Sequence, residues 1–473
     1  MGSRLSGRVF DLLKALILAR LLTPRDFGLF GIVMLALATL DTFSQTGINA
    51  ALIQRRGDIR PYLGTAWTVQ GLRGIVLAVL LYLAAPAVAL FFREPDVADL
   101  LRFVSAILVM QGFVNTGIVF FTRDMDFERA FVFEVGSGGL SLAAGIVLAY
   151  QLRSPWALVW ANFVGAVARV VLSFLLSPIR PRLELRKDRA GELFAFGRWM
   201  SGYAIASWIW QNVDRLVLGR VIGAAPLGVY QMAQRIASMP VSEVAIASMG
   251  LTLPAYSRMQ SEPGRLGRSF LDVFETVMSF VAPMAVFLAV AAPEVVHGLL
   301  GGRWASAIGP LQIVSAAALF TALDIVATPL LVAVGQPRVE FWKNCARSAV
   351  VMITVLPLTM RYGVGGACAS FLLGSLTPLF FWGPVVRIAR VGWGQLLERT
   401  ALVGVMVAAV SAAVLATRLA FGTPGAAALA AAGIAAASSW LIAGYLLRSL
   451  AGRGIFLHII RLKAGILETR LGS

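Results

Sequence analysis

The sequence predicts an all-α polytopic membrane protein of about fourteen transmembrane helices, built as two six-helix lobes related by a parallel repeat, with two further helices at the C-terminus. Three observations predict it. Hydrophobic residues make up 58% of 473 positions and charged residues 14%, with mean hydropathy +0.80, against roughly 45 to 50% apolar and 25% charged in soluble domains. Apolar stretches of span length recur along the chain, separated by short charged or Pro/Gly turns. A turn near the N-terminus recurs 200 positions later.

A bilayer crossing needs about 20 mostly apolar residues. The pattern places segments at 2–22, 27–48, 65–92, 98–121, 130–150, 155–177, 197–222, 226–254, 270–298, 305–334, 341–360, 363–386, 400–419 and 425–447. The first is interrupted by Arg8, Asp11 and Lys14. Ionisable groups at mid-span cost a few kcal/mol unless they face protein or water, so this segment is either a cavity-lining helix or a surface helix. The chain thereby divides into an N-terminal lobe (1–178), a cytoplasmic basic loop (179–196), a C-terminal lobe (197–390), the last two spans (391–447) and a cytoplasmic tail (448–473). In the tail, Phe456, Ile459, Ile460 and Leu462 stand among Arg453, Arg461 and Lys463, as expected of an amphipathic helix lying on the inner leaflet.

Net charge is +17, but the basic residues sit between apolar segments and form no single patch, which argues against nucleic acid as a partner. With the N-terminus in the cytoplasm, most of the 41 Lys and Arg residues fall in inside segments. Arg55, Arg56 and Arg60 follow the second span, and Arg180, Arg182, Arg186, Lys187 and Arg189 the sixth. That asymmetry orients the chain with both termini inside, next to the head groups of membrane lipids. Cys345, Cys368, His297 and His458 lie apart in apolar surroundings, so no metal site or cofactor is expected.

The repeat joins LARLLTPRDFGLF at 18–30 to LGRVIGAAPLGVY at 218–230, with Arg20 meeting Arg220 and Gly28 meeting Gly228. Because six spans separate the copies, both cross the membrane in the same direction, as in transporters whose halves are related by an axis along the membrane normal. With the copies facing each other, the first, second, seventh and eighth segments line a central cavity. Their polar residues are the candidate substrate site: Arg8, Asp11, Lys14, Asp41, Asn212, Asp214, Arg215, Gln231, Gln234, Arg235 and Glu243, with Gln45 and Gln211 beside them. The basic members are suited to a diphosphate, since Arg presents a planar fork and Lys a compact charge. Each has an alternative: Arg8 and Lys14 as snorkelling residues, Asp214 and Arg215 as an internal salt bridge, Glu243 as a partner for backbone freed by Pro240. Arg73, Arg169, Glu275 and Asp324 read as interhelix or gate pairs, Gln111 and Asn115 as hydrogen-bonding glue on one helix, and Trp67, Trp156, Trp304 and Trp393 as interface anchors.

An ordered set of motifs then carries a resemblance. LARLLTPRDFGLF, GINAALIQRR at 47–56, FREPDVADLLR at 92–102, RDMDF at 123–127, NVDRLVLGRVIGAAPLGVYQMA at 212–233, LPAYSRMQSEPGRL at 253–266 and GGRWASAIGPLQIV at 301–314 together resemble the Wzx-type polysaccharide flippases, especially the colanic acid exporter branch. That family lies in the multidrug/oligosaccharidyl-lipid/polysaccharide (MOP) exporter superfamily. The resemblance implies a two-lobed MATE/MOP-like fold and transfer of an undecaprenyl-diphosphate-linked oligosaccharide from the cytoplasmic to the periplasmic leaflet of a bacterial inner membrane. The first segment is also similar to that of the lipid II flippases, which puts Arg8 and Lys14 onto basic, cavity-lining positions there. Family members usually begin earlier, so this chain is expected to start inside its first helix.

A multidrug or cation exporter of the same superfamily is the nearest alternative. Arg8, Lys14, Arg198, Arg215 and Arg235 stand against Asp11, Asp41, Asp214 and Glu243, so charge balance does not separate the two. A membrane-embedded polymerase or glycosyltransferase is the alternative from another class, and the short outside loops argue against it. No enzymatic chemistry is expected. Asp41, Asp214, Glu243 and Asp324 are candidates to carry a coupling proton or sodium ion.

Overall fold

The computed structural model describes residues 2–451 apart from 46, 49–51, 53–56, 125, 187–207, 210 and 261. The expected amphipathic helix of the tail, the distal part of the basic loop and the start of the expected seventh span lie outside the described residues. Among the described residues the secondary structure is helical, with no strand.

Helix α1 runs Gly2–Leu21 and α2 Pro24–Phe43. The turn between them is written locally: Thr23 accepts from the Asp26 N–H, the Thr23 N–H donates back to Asp26 at 2.8 Å, and Pro24 takes the first helical position, where no N–H is needed. Helix α3 (Arg60–Phe92) ends on a left-handed Arg93, and α4 (Val97–Gly112) follows. The expected straight span 98–121 is corrected here. It bends by 63° between α4 and the helical turns Thr116–Arg123, which comprise a 3-10 turn and the short α5 (Val119–Arg123). Asn115 sits in the break, not on a helix. Its backbone N–H donates to Ser173, its amide to the Ile179 carbonyl, and its side-chain oxygen accepts from Gly117, bonds that compete with helix continuation. Trp67 donates to the freed Phe113 carbonyl at 3.2 Å.

Helices α6 (Phe127–Leu152) and α7 (Trp156–Leu176) form a hairpin, α8 covers 211–221, and α9 runs Ala224–Met259 through Pro240 and Pro254. Then come α10 (Pro263–Val290), the short α11 (Ala292–Val295), a wide turn Val296–Leu300, a tight one Gly302–Ala307, and α12 (Ile308–Ala333). Helix α13 (Pro337–Leu376) is interrupted at Gly363, whose φ of 61° and ψ of −135° divide it where the sequence pattern ends one span and begins the next. Helices α14 (Trp382–Ala389), α15 (Trp393–Phe421) and α16 (Ala426–Ala451) are the last of the described residues.

Nine helices among the described residues are long and apolar enough to cross a membrane, or ten when the bent pair counts as one span. The expected fourteen is not reached by that measure. The run 338–389 counts once although Gly363 breaks it, and α1 carries Arg4, Arg8, Asp11, Lys14 and Arg20. This is a multi-pass membrane protein.

The chain forms two compact units, one of Met1–Gln231 with Thr359–Val364, the other of Met232–Leu358 with the residues from Gly365 on. In the first, small residues let helices close up: a Cβ on Gly74 would lie 2.6 Å from the Leu108 carbonyl oxygen, and one on Gly165 would lie 3.0 Å from the Ser141 Cβ. Lipid tails are as apolar as Leu, so close van der Waals packing, not water exclusion, drives such association. The core of the second unit gathers Tyr256, Phe270, Phe274, Val281, Ala322, Leu330 and Trp382. Trp304 is fully buried, which corrects its reading as an interface anchor, whereas Trp393 is exposed at the start of α15.

Candidate functional site

Lys14 and Asp11 project from α1, which packs along α6. Lys14 Nζ donates to Ser141 Oγ at 3.1 Å and lies 3.4 Å from Asp11, while Ser141 donates to the Ala161 carbonyl at 2.8 Å. Glycines on α6 permit the approach: a Cβ on Gly145 would touch Leu18 and the Lys14 stem, and one on Gly138 would touch Phe10. Lys14 is therefore a held cation on a helix face, with only 11% of its side chain exposed. Ser141 was not legible in the sequence, because a serine among small helix-packing residues carries no signal of its own. Arg8 lies on α1, and its side chain is outside the described residues.

Asp41 is bound to Arg73 at 2.6 Å, and the same guanidinium reaches the Asp41 carbonyl at 2.7 Å and the Ser44 carbonyl and hydroxyl at 3.0 and 2.8 Å. The C-terminal carbonyls of α2 have no partners within the helix, so Arg73 on α3 caps α2 and neutralises Asp41 in one contact. On α8, the buried Asp214 accepts from the Tyr230 hydroxyl and from the Arg215 N–H at 2.8 Å. Arg215 donates to Asn212 at 3.3 Å, and Asn212 to the Trp208 carbonyl at 3.1 Å. Tyr230 escaped the sequence reading, although the repeat carries the signal: it stands where Phe30 stands in the first copy, and the hydroxyl is the difference. The Gln231 amide presses on Gly31, where an added Cβ would lie 2.1 Å from its oxygen.

In the second unit Gln234 is buried, Glu243 half-buried and Arg235 exposed, all on α9. Asp324 on α12 pairs with Lys343 and, at 3.4 Å, with Arg347, both from α13. Lys343 also binds Glu340 at 2.6 Å and Thr328 at 3.1 Å. Glu340, Lys343, Asn344 and Arg347 share one helix face by their three- and four-residue spacing, a pattern the sequence displays but that does not reveal Asp324 as its counterpart. Glu275 pairs with Arg399, and Glu294 takes both arms of Arg418 at 2.7 and 2.8 Å. These two contacts fasten α15 to α10 and α11. In the first unit, Arg169 grips Glu134 with two 3.0 Å bonds and lies over the Phe133 ring. Arg73, Arg169, Glu275 and Asp324 are thus all in interhelix pairs. Among the described residues no cluster of His, Cys, Asp or Glu is arranged to hold a metal ion.

The family described as "polysaccharide biosynthesis protein" matches residues 17–309. The chain is 25% identical over 385 residues to the succinoglycan biosynthesis transport protein ExoT of Rhizobium meliloti (strain 1021), a match covering 81% of this chain and 75% of that one. It is 23% identical over 364 residues to the lipopolysaccharide biosynthesis protein WzxC of Escherichia coli (strain K12), covering 76% and 74% of the two chains. The fold is similar to that of the lipid II flippase MurJ in an inward closed conformation, with a TM-score of 0.76 at 13% identity over 95% of this chain and 99% of that one. The resemblance read from the ordered motifs therefore holds. With a match that takes in more than half its length, on a MurJ-like helical fold, this chain belongs to the polysaccharide biosynthesis protein family.

Proposed function

We propose that this protein is a flippase that carries an undecaprenyl-diphosphate-linked oligosaccharide from the cytoplasmic to the periplasmic leaflet of a bacterial inner membrane, for exopolysaccharide, capsule or O-antigen assembly. The observation that carries the reading is the similarity over four fifths of the chain to a relative named for transport in succinoglycan biosynthesis. The step is alternating access without bond chemistry, with the lipid tail left in the bilayer and both termini in the cytoplasm. Lys14, held by Ser141 and Asp11, meets the diphosphate together with Arg8. The Lys14 ammonium is a compact point charge of the kind that binds phosphate oxygens. In the first unit, Asn212, Arg215 and Gln231 supply polar contacts to the first sugars.

Asp41, Asp214, Glu243 and Asp324 are the carboxylates from which we draw the carrier of a coupling proton or sodium ion, and Asp214, buried and hydrogen-bonded by Tyr230, is the first to test. The test is reconstitution into proteoliposomes with a fluorescent polyprenyl-diphosphate oligosaccharide, following exposure of the label to an external quencher. Translocation by wild type, lost in Arg8→Ala and Lys14→Ala at unchanged protein level, supports the reading. Efflux of small organic cations without movement of the oligosaccharide would transfer the chain to the multidrug branch.

A further inference from the structure

The two copies of the repeat meet through their glycines. A Cβ added to Gly28 would lie 1.7 Å from the carbonyl oxygen of Ala224, and one added to Gly228 would lie 2.0 Å from that of Pro24 and 2.8 Å from the Gly28 nitrogen. Pro24 and Ala224 are themselves 200 positions apart, so the contact is the same seen from either copy: each helix lays the carbonyl of its first residue over the glycine of its mate. That reciprocity is the mark of a local two-fold relation. No side chain fits between α2 and α9 at this crossing.

Beside it stands a feature that the repeat does not duplicate. Glu94 accepts the Ala224 N–H at 3.2 Å with one oxygen and Arg25 at 3.1 Å with the other, and Arg25 also reaches Asp96 at 3.1 Å. The N–H of Ala224 opens α9 and has no partner within the helix. Glu94 therefore caps the second copy and holds the first through Arg25, whose place in the second copy is taken by Ala225.

We propose that this crossing is a latch. The paired glycines form the closed state of the pathway at the end where α2 and α9 begin, and Glu94 with Arg25 holds it shut. The latch serves the alternating-access reading above, and its test does not depend on transport.

Gln231 lies one turn further along α9 than Gly228, against Gly31, and is the reporter position. In full-length protein in right-side-out membranes, with Cys345→Ser and Cys368→Ala as background, Gln231→Cys is exposed to a membrane-impermeant maleimide from outside. Gly28→Ala and Glu94→Gln are each expected to raise its labelling rate roughly tenfold or more by shifting the closed population. Ala224→Pro removes the capped N–H, gives the second copy the residue the first already has, and suits a first helical position. It carries the test if Gly28→Ala fails to accumulate. Unchanged labelling in both Glu94→Gln and Ala224→Pro, at normal membrane levels, overturns the latch. Raised labelling in these variants, when protein with native Gln231, Gly28 and Glu94 moves no oligosaccharide, sustains the latch and counts against the flippase reading instead.

Discussion

Removing Lys343 alone should be far worse than removing it together with Asp324. Lys343 and Arg347 are 2% and 3% exposed and share Asp324, while Glu340 binds Lys343 from the same helix. The cluster is thus two cations against two carboxylates. Lys343→Met leaves Asp324 and Glu340 facing Arg347 alone, an uncompensated buried negative charge, and breaking a buried pair from one side costs about 3–5 kcal/mol. In Lys343→Met with Asp324→Leu, Arg347 and Glu340 remain as one charge of each sign, and apolar replacement of a buried pair is often neutral or stabilising. The double variant should recover most of the loss, a coupling of roughly 2–3 kcal/mol, within the range seen for contacting residues. The assay is thermal unfolding in detergent with membrane accumulation measured in parallel. Equal destabilisation by the single and double variants would refute the reasoning, because it would mean that the side chains matter through packing and not charge.

Arg73→Lys should behave almost as Arg73→Ala in thermal unfolding, since an ammonium cannot reproduce a fork that meets Asp41 and the Ser44 carbonyl together; full stability of the lysine variant would contradict the capping role. Gly363→Ala should destabilise by about 1–3 kcal/mol, because the backbone there is in a region essentially reserved for glycine while the nearest side-chain atom, Ile222 Cδ1, is at an uncrowded 3.8 Å. A neutral result would show that the break relaxes without cost. Tyr230→Phe should leave the membrane level unchanged, as Phe30 does the same packing in the first copy, yet alter the pH dependence of translocation by removing the hydroxyl donor to Asp214. An unaltered pH profile would remove Asp214 from ion coupling. Arg418→Leu should loosen α15 at its contact with α11, read as faster proteolysis of the C-terminal helices, because Glu294 is buried and loses both guanidinium bonds.

Much of this protein was legible without coordinates, and the reason is the bilayer. A spanning segment must satisfy its own backbone hydrogen bonds and stay apolar over its length, so composition and hydropathy determine the fold class, and the boundary between the runs 341–360 and 363–386 falls where Gly363 breaks a helix. The 200-residue repeat was legible for the same reason that the crossing exists: a turn that must bring two helix ends into backbone contact cannot drift far from glycine at positions 28 and 228. The ordered motifs placed the chain in its family.

Which charges meet was decided only in three dimensions. Asp41, Arg73 and Arg169 were visible as intramembrane ionisable residues, but the partner of each, Glu134 for Arg169, lies on another helix, and helix-to-helix register depends on small residues whose contacts are long-range. For that reason Asp41 changed from a candidate ligand into the mate of a capping arginine, and Asn115 from a helix residue into the pin of a bend. Ser141, Tyr230, Lys343, Arg399 and Arg418 entered the account only through the atoms they touch. The sequence by itself determined how many polar groups must be accounted for inside the membrane, because burying each one unpartnered is costly. Tertiary packing decided which partner each one has.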